Sequence, residues 1–352
     1  MKKTLAALIV SAFAASAANA AVVYDNEGTK VELNGSLRVI MEKADKKEYD
    51  RANHSTKKAN SALRNAGSRF GVKVKHNLDN DFYALGNLEL RFDDTTSRDK
   101  FGGAYAKRAY VGLGSQSVGE IKFGRQLTIA DDLSQANDYE YGFIPKGDYI
   151  PTSGTGVVRY DYKGIEGLQL SANYNFGQKN DEKGKALDPA IKNAFALGAL
   201  YTAGDLDARF AYGHTSFETD ASYKHRLDGF LASLGYKFGD FTLTGDFGYA
   251  HEKENDAKTN KFYVSPGFAY QVTPASQVYG NYLYERVKGE TTKDKTHGFL
   301  LGADYKLHKQ VVVFLEGKYV TTKNYAENAN GGYAYDGKTK DRAIGVGMRV
   351  FF

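Results

Sequence analysis

Apolar side chains recur at every second position through most of this chain, in short runs broken by turns or polar loops. Such alternation is the mark of strands with one apolar and one polar face. In Arg69–Lys75 the apolar set is Phe70, Val72 and Val74, opposed by Arg69, Lys73 and Lys75. In Phe82–Phe92 it is Phe82, Ala84, Leu88, Leu90 and Phe92, opposed by Asn87, Glu89 and Arg91. In Phe241–Tyr249 it is Phe241, Leu243, Phe247 and Tyr249, opposed by Thr242, Thr244, Asp246 and Gly248. About sixteen such segments can be counted, an even number of the kind single-chain membrane barrels require. They are 31–42, 68–78, 82–92, 105–113, 119–127, 157–162, 168–176, 193–201, 206–217, 226–238, 241–252, 261–271, 276–287, 297–306, 310–320 and 341–352.

The connections fall into two alternating classes. Asp79-Asn80-Asp81, Gly239-Asp240 and Leu307-His308-Lys309 are short, whereas 43–67, 128–156, 177–192 and 321–340 are long. Short turns at one end and long loops at the other describe an outer-membrane barrel; a soluble sandwich has no reason to segregate them. Pro266 fits poorly, since it lies inside a regular strand of a sheet with no free edge. A bulge at that point would accommodate it.

The N-terminus agrees with export. Met1-Lys2-Lys3 is a basic n-region, Leu5 to Ala17 an apolar stretch too short to span a bilayer, and Ala18-Asn19-Ala20 an A-x-A cleavage site. Residues 1–20 read as a signal peptide and 21–352 as the mature barrel. No later stretch is long and apolar enough for a membrane helix. The mean hydropathy of −0.50 does not argue for a soluble protein, because alternation hides a barrel's apolar face from a sliding window.

Composition adds exclusions. With 26 Tyr, 21 Phe, 38 Gly and only 5 Pro the chain favours strands and aromatic girdles. Zero Cys excludes disulfides, thiol nucleophiles and thiolate metal sites. Losing Lys2 and Lys3 lowers the formal charge from +5 to +3, too small a bias to imply nucleic acid. The seven histidines show no metal-ligand spacing, and no nucleophile elbow or phosphate loop occurs. No catalytic residue, metal or cofactor is therefore assigned. The basic first loop (Lys43, Lys46, Lys47, Arg51, Lys57, Lys58, Arg64) reads as an exposed tip near lipopolysaccharide.

The last segment has its own signal. Ile344, Val346, Met348, Val350 and Phe352 share one apolar phase, while Gly345, Gly347 and Arg349 take the other. An aromatic at Phe352 closing such a strand resembles the recognition signal of the barrel-assembly machinery.

On these residues the chain resembles the Gram-negative general-diffusion porins, and among them the major porins of the Pasteurellaceae. The resemblance is carried by Gly28–Arg38 (GTKVELNGSLR), Gly67–Lys73 (GSRFGVK), Lys107–Leu113 (KRAYVGL), Ile121–Leu127 (IKFGRQL) and Tyr305–Gln310 (YKLHKQ). It implies a 16-stranded antiparallel transmembrane β-barrel, a homotrimer, and a water-filled channel for passive diffusion of small hydrophilic solutes and ions. It also implies that the third loop, 128–156, folds into the barrel and narrows it. Its acids are Asp131, Asp132, Asp138, Glu140 and Asp148. The family's Pro-Glu-Phe-Gly-Gly segment is replaced nearby by Gly142-Phe-Ile-Pro-Lys146.

Facing that loop the family carries a basic wall. Strand parity by itself puts Arg38, Arg69, Lys73, Arg91, Arg108, Lys122 and Arg159 on the lumen phase, and Arg69 and Arg108 also match the family's pattern. Acids facing bases would set a transverse field across the narrowest section. Arg125 has the parity of Ile121 and Phe123 and points outward, where an arginine facing lipid costs about 2–4 kcal/mol. A trimer interface would relieve it, through Asp93 or Asp94 of a neighbour. Three rival readings stay open: an outer-membrane hydrolase, a sugar channel with an aromatic slide in its lumen, and an adhesin or receptor that uses the loops.

Overall fold

A computed structural model describes residues 20–52, 54–93, 100–219 and 223–352, so the expected signal segment lies almost wholly outside the described residues. The chain is all-β. Sixteen strands close an antiparallel barrel: β2 (Thr29–Tyr49), β4 (Arg69–Asn77), β5 (Phe82–Asp93), β6 (Gly103–Ser115), β7 (Gly119–Leu127), β8 (Ser153–Ile165), β9 (Leu168–Asn175), β11 (Ala186–Ala203), β12 (Leu206–Phe217), β13 (His225–Phe238), β14 (Phe241–Glu254), β15 (Ala257–Thr273), β16 (Ser276–Lys288), β17 (Thr292–His308), β18 (Val311–Glu327) and β19 (Tyr333–Phe351). Three further strands supplement them: β1 (Ala21–Asn26), β3 (Ser55–Asn65) and β10 (Gln178–Asn180).

The ring closes at β2, which is paired on both edges. On one side lie β19, over Ser36–Tyr49, and β1, over Thr29–Leu33. On the other lie β4, over Thr29–Ser36, and β3, over Val39–Tyr49. No edge N–H row of β2 is left open to another chain. Phe352 completes the seam: its N–H and C=O bond the backbone of Gly35 at 3.1 and 2.8 Å. A Cβ on Gly35 would lie 2.5 Å from the Phe352 ring, so that position has no room for a side chain.

Parity predicts the faces correctly. Leu37, Met41, Val111, Leu113, Leu234, Leu301, Ile344 and Val346 are all at least half uncovered by protein and form an outward apolar belt. Alternate residues such as Ser36, Arg38, Arg108 and Asp161 are buried on the inner side. This arrangement gives water one face and hydrocarbon the other.

Several long loops prove shorter than their polarity suggests. β2 runs on to Tyr49 and returns as β3, so 43–67 is mostly a projecting hairpin. Likewise β18 extends to Glu327 and β19 starts at Tyr333. Outside the bilayer neither face of a strand is apolar, so alternation vanishes while the ladder continues. The sixth expected segment, 157–162, is the middle of the longer β8. Pro266 needs no bulge. It pairs with Gly245 of β14, while the ladder to β16 skips Ser265 and Pro266 and resumes in the same register at Gly267↔Asn281.

Two buried apolar clusters lie inside the barrel. One gathers Ile129, Leu133, Tyr149 and Ile150 with Ala196, Ala211, Leu231 and Tyr263. The other gathers Tyr141 with Ile40, Tyr279, Leu300 and Phe314. Both are formed between the wall and the segment that follows β7, so the core of this protein is a seam along one side of the lumen.

Candidate pore constriction

After Leu127 the chain turns into the barrel as an inner loop that runs to Thr152, four residues short of the expected end. Its root is clamped by Thr128, whose N–H donates to the Thr152 carbonyl (3.0 Å) and whose hydroxyl donates to that of Pro151 (2.6 Å). The first turn, Ile129–Leu133, presents its apolar side chains to β11, β12 and β13. The wall beneath is built from small residues. Ile150 occupies the space of a Cβ on Gly213 (2.5 Å), the Tyr149 carbonyl that of Gly229, and the Tyr141 hydroxyl that of Gly345 (2.5 Å).

Acids of the wall then grip the loop's backbone. Asp246 accepts from the Ser134 hydroxyl (2.6 Å) and the Gln135 N–H (2.9 Å). Glu316, with no exposed surface at all, accepts the N–H groups of Tyr139, Glu140 and Tyr141 at 2.6, 2.8 and 2.6 Å. The Tyr279 hydroxyl donates to it as well, at 2.8 Å. A carboxylate that collects several donors is the strong form of hydrogen bonding. Asn281 donates to the Asn137 carbonyl (2.6 Å), and Tyr139 lies against Phe314 with ring centres 4.7 Å apart. The loop is thus held along its length, and its tip reaches β18, β19 and β2.

The five loop acids divide. Asp132 pairs with Arg159 (2.6 Å), Glu140 with Arg64 (2.7 Å) and Asp131 with Lys146 (3.2 Å). Asp138 and Asp148 carry no ion pair among the described residues and are exposed to the lumen. Asp138 faces water yet is ringed by protein. That burial, reinforced by the Glu316 carboxylate, pushes its carboxyl up to about 6 against the opposing pull of Arg349 and Lys146.

The bases divide too. Arg159 is spent on holding the loop's root: besides Asp132 it bonds Asp161 (3.0 Å) and the Thr128 carbonyl (3.0 Å). Lys122 sits between Asp161 (2.7 Å) and Glu120 (3.0 Å). Arg108 shares Glu182 of the 177–192 connection with Lys107, at 3.1 Å for Arg108. Lys73 lies on the inner phase of β4, opposite Glu32 and Asn87.

Arg38, Arg69 and Arg91 form the remaining cluster, joined by Arg349. In the ladders Arg349 lies directly across from Arg38, Ser36 across from Arg69, and Arg69 across from Arg91. Glu89, 3.0 Å from Arg91, is the carboxylate within this group. The Nε groups of Arg91 and Arg349 are buried without a hydrogen-bond partner among the described residues. Like charges directly opposite are destabilising in a sheet, so this wall is organised for something other than stability. The Arg349 guanidinium covers the Tyr139 ring at 4.7 Å and donates to the Tyr139 carbonyl, which brings the wall to the loop's tip.

Sequence reasoning missed Arg349, Glu316 and Asp246 as site residues and placed Arg64 at an exposed tip. Arg64 is instead turned back onto Glu42 (2.8 Å) and Glu140. One signal was available: Tyr263, Tyr279 and Phe314 are large apolar residues on the inner phase, where water should be. They are covered by the inner loop and do not line an aromatic slide. Arg125 donates to the carbonyls of Ala106 (2.9 Å) and Glu182 (3.1 Å) in its own chain, beside a bulge at Gly124. Asp94 and the side chain of Asp93 lie outside the described residues. No group of three His, Asp or Glu among the described residues is arranged to hold a metal.

The family model described as Gram-negative porin matches residues 4–325. The major outer membrane protein of Pasteurella multocida strain Pm70 is 32% identical over the whole of both chains. Among solved structures, OmpT of Vibrio cholerae superposes with a TM-score of 0.70 at 17% identity, covering 94% of this chain and 100% of that one. One OmpT structure is described as a trimer form, with a TM-score of 0.69 at 19% identity over 93% of this chain and 100% of that one. OmpF of Salmonella typhi, in complex with daunomycin, gives 0.66 at 15% identity over 94% of this chain and 100% of that one. The chain belongs to the Gram-negative porin family, and is an outer-membrane β-barrel through which small hydrophilic solutes and ions diffuse passively.

Proposed function

We propose that the passage is narrowest between Asp138 on the inner loop and the wall of Arg38, Arg69, Arg91 and Arg349, and that these charges sort solutes as they cross. The observation that carries this reading is the row of arginines facing one another across consecutive strands with Glu89 as their carboxylate. A fixed acid opposite fixed bases sets a field across the passage. It orients dipolar solutes and penalises apolar ones, which cannot replace the ordered water. Arg108, Lys122, Lys73 and Arg159 extend the basic lining, the last also as an anchor. Asp131, Asp132, Glu140 and Asp148 extend the acidic one.

Reversal potentials in a planar bilayer under a salt gradient test this. Arg69→Ala is expected to raise the cation-to-anion permeability ratio by roughly twofold, and Asp138→Asn to lower it comparably. Asp138 ionises as pH rises through about 6, so the wild-type ratio should fall as pH drops from 7 to 5. Asp138→Asn should lose that dependence. Ratios unmoved in both variants would place the constriction elsewhere.

The protein is a passive channel without enzymatic activity, resident cofactor or nucleic-acid partner. Residues 1–20 direct export, and Phe352 addresses the chain to the barrel-assembly machinery. The working form is a homotrimer among outer-membrane lipid and lipopolysaccharide. The apolar belt on β2, β6 and β7 and the trimer form of one structural relative favour that assembly. With Arg125 at the subunit boundary, Arg125→Ala should lower the temperature at which trimers dissociate on a gel. Trimers of unchanged thermal stability would remove Arg125 from the interface.

A further inference from the structure

Arg64 is the last of seven basic residues between 43 and 64. In the β2–β3 ladder it lies directly opposite Ile40, whose side chain has no exposed surface, so both take the inner face. Its Nε and Nη2 groups donate to the two carboxylate oxygens of Glu42, both at 2.8 Å. Its Nη1 lies 2.7 Å from Oε1 of Glu140 on the inner loop. The side chains of Arg64 and Glu140 are each only 14% exposed, so this carboxylate is turned away from water. One guanidinium fork thus spans two acids, one on the wall and one at the loop's tip.

Both ends of that bridge are fixed. At the foot of β3 the Asn65 N–H donates to the Lys100 carbonyl (2.9 Å), and the Asn65 amide to that of Phe101 (3.0 Å). The next N–H, of Ala66, donates to the Arg38 carbonyl (2.9 Å). On the loop, the N–H groups of Tyr139, Glu140 and Tyr141 all end on Glu316. The Tyr141 hydroxyl donates to Glu42 as well (2.9 Å). Between two fixed backbones the Glu140 carboxylate is the part with room to swing, and Arg64 holds it.

We propose that Arg64 is a positioning residue for the constriction: it withholds the Glu140 carboxylate from the passage, so that Asp138 supplies the acid at the loop's tip. The inference rests on the constriction reading and deepens it. The other charged or titratable groups around Glu140 are Glu42 on β2, Arg349 on β19, and Asp138 and Tyr141 on the loop; Lys100 acts on Glu42 from the connection after β5. Burial pushes the Glu140 carboxyl up and Arg64 draws it back down. Without the guanidinium, two carboxylates would share one site, and Glu140 would turn toward the passage with its proton bound more tightly still.

Reversal potentials under a salt gradient at pH 8, together with single-channel conductance, test this in the whole protein. Arg64→Gln is expected to raise the cation-to-anion permeability ratio roughly threefold, and that excess should shrink as pH falls from 8 to 6. Arg64→Lys, whose single ammonium cannot fork across both carboxylates, should give an intermediate rise. Glu140→Gln alone should change the ratio little, whereas in the Arg64→Gln background it should cancel most of the rise and its pH dependence. Conductance should stay at the wild-type value in all four variants, because Glu316 keeps the loop in place. Equal effects of Glu140→Gln in the two backgrounds overturn the proposal. So does a raised conductance in Arg64→Gln, which would make Arg64 an anchor of the loop itself. A ratio unmoved by Arg64→Gln but moved by Arg69→Ala removes this inference alone; a ratio unmoved by either removes the constriction reading with it.

Discussion

Glu316→Ala should release the inner loop from the wall and raise single-channel conductance by half or more, while the barrel stays folded. The reason is the concentration of donors on one side chain. Three consecutive loop N–H groups and the Tyr279 hydroxyl all end on this carboxylate. Leaving a buried donor unsatisfied costs about 1–3 kcal/mol, so removing the acceptor of four cannot be absorbed in place. The strand ladders of β18 to β17 and β19 do not involve the side chain and persist. Limited proteolysis should show new cleavage between 128 and 152, which the folded wild type resists. Glu316→Gln should fall between the two. One amide oxygen can still serve the Glu140 and Tyr141 N–H groups, but its NH2 is turned against that of Tyr139. Wild-type conductance and protease resistance in Glu316→Ala would mean that the apolar seam alone holds the loop.

The second large effect is expected at Gly229, where the wall must be bare for the loop to lie on it. A Cβ there would fall on the Tyr149 carbonyl, with Ile150 at 3.0 Å. The obstacle is backbone, which has no rotamer to give. Overpacking of a tight site costs about 1–3 kcal/mol, and here the cheapest relief is to lift the loop. Gly229→Val should therefore reproduce the raised conductance and loop cleavage of Glu316→Ala by steric means. Gly245→Val is the control. It lies on the neighbouring strand β14 with no atom within 4 Å of the added Cβ, in phase with lipid-facing Leu243 and Phe247. It should behave as wild type. Equal behaviour of the two variants would mean that the loop tolerates a shifted path.

Along the chain, period-two alternation with the segregation of short turns from long loops was enough for the class and the strand count, because alternation reports a local fact. One side of each strand meets hydrocarbon and the other meets water, and neighbours in sequence register that difference. Parity alone therefore put Arg38, Arg69, Arg91 and Arg108 on the inner wall. The projecting hairpins could not be seen, because outside the bilayer both faces of β3 and of the ends of β18 and β19 meet water. Nor could the sequence say which charges are paired. Glu140 looked equivalent to Asp138, yet Arg64 neutralises it, as Arg159 does Asp132. Those pairings, the grip of Glu316 on residues 139–141 and the meeting of Arg349 with Arg38 join positions up to about three hundred residues apart. Only closure of the ring brings them together. Strand parity can name the face a side chain takes, but the neighbour it finds there is set by how far around the barrel the chain has travelled.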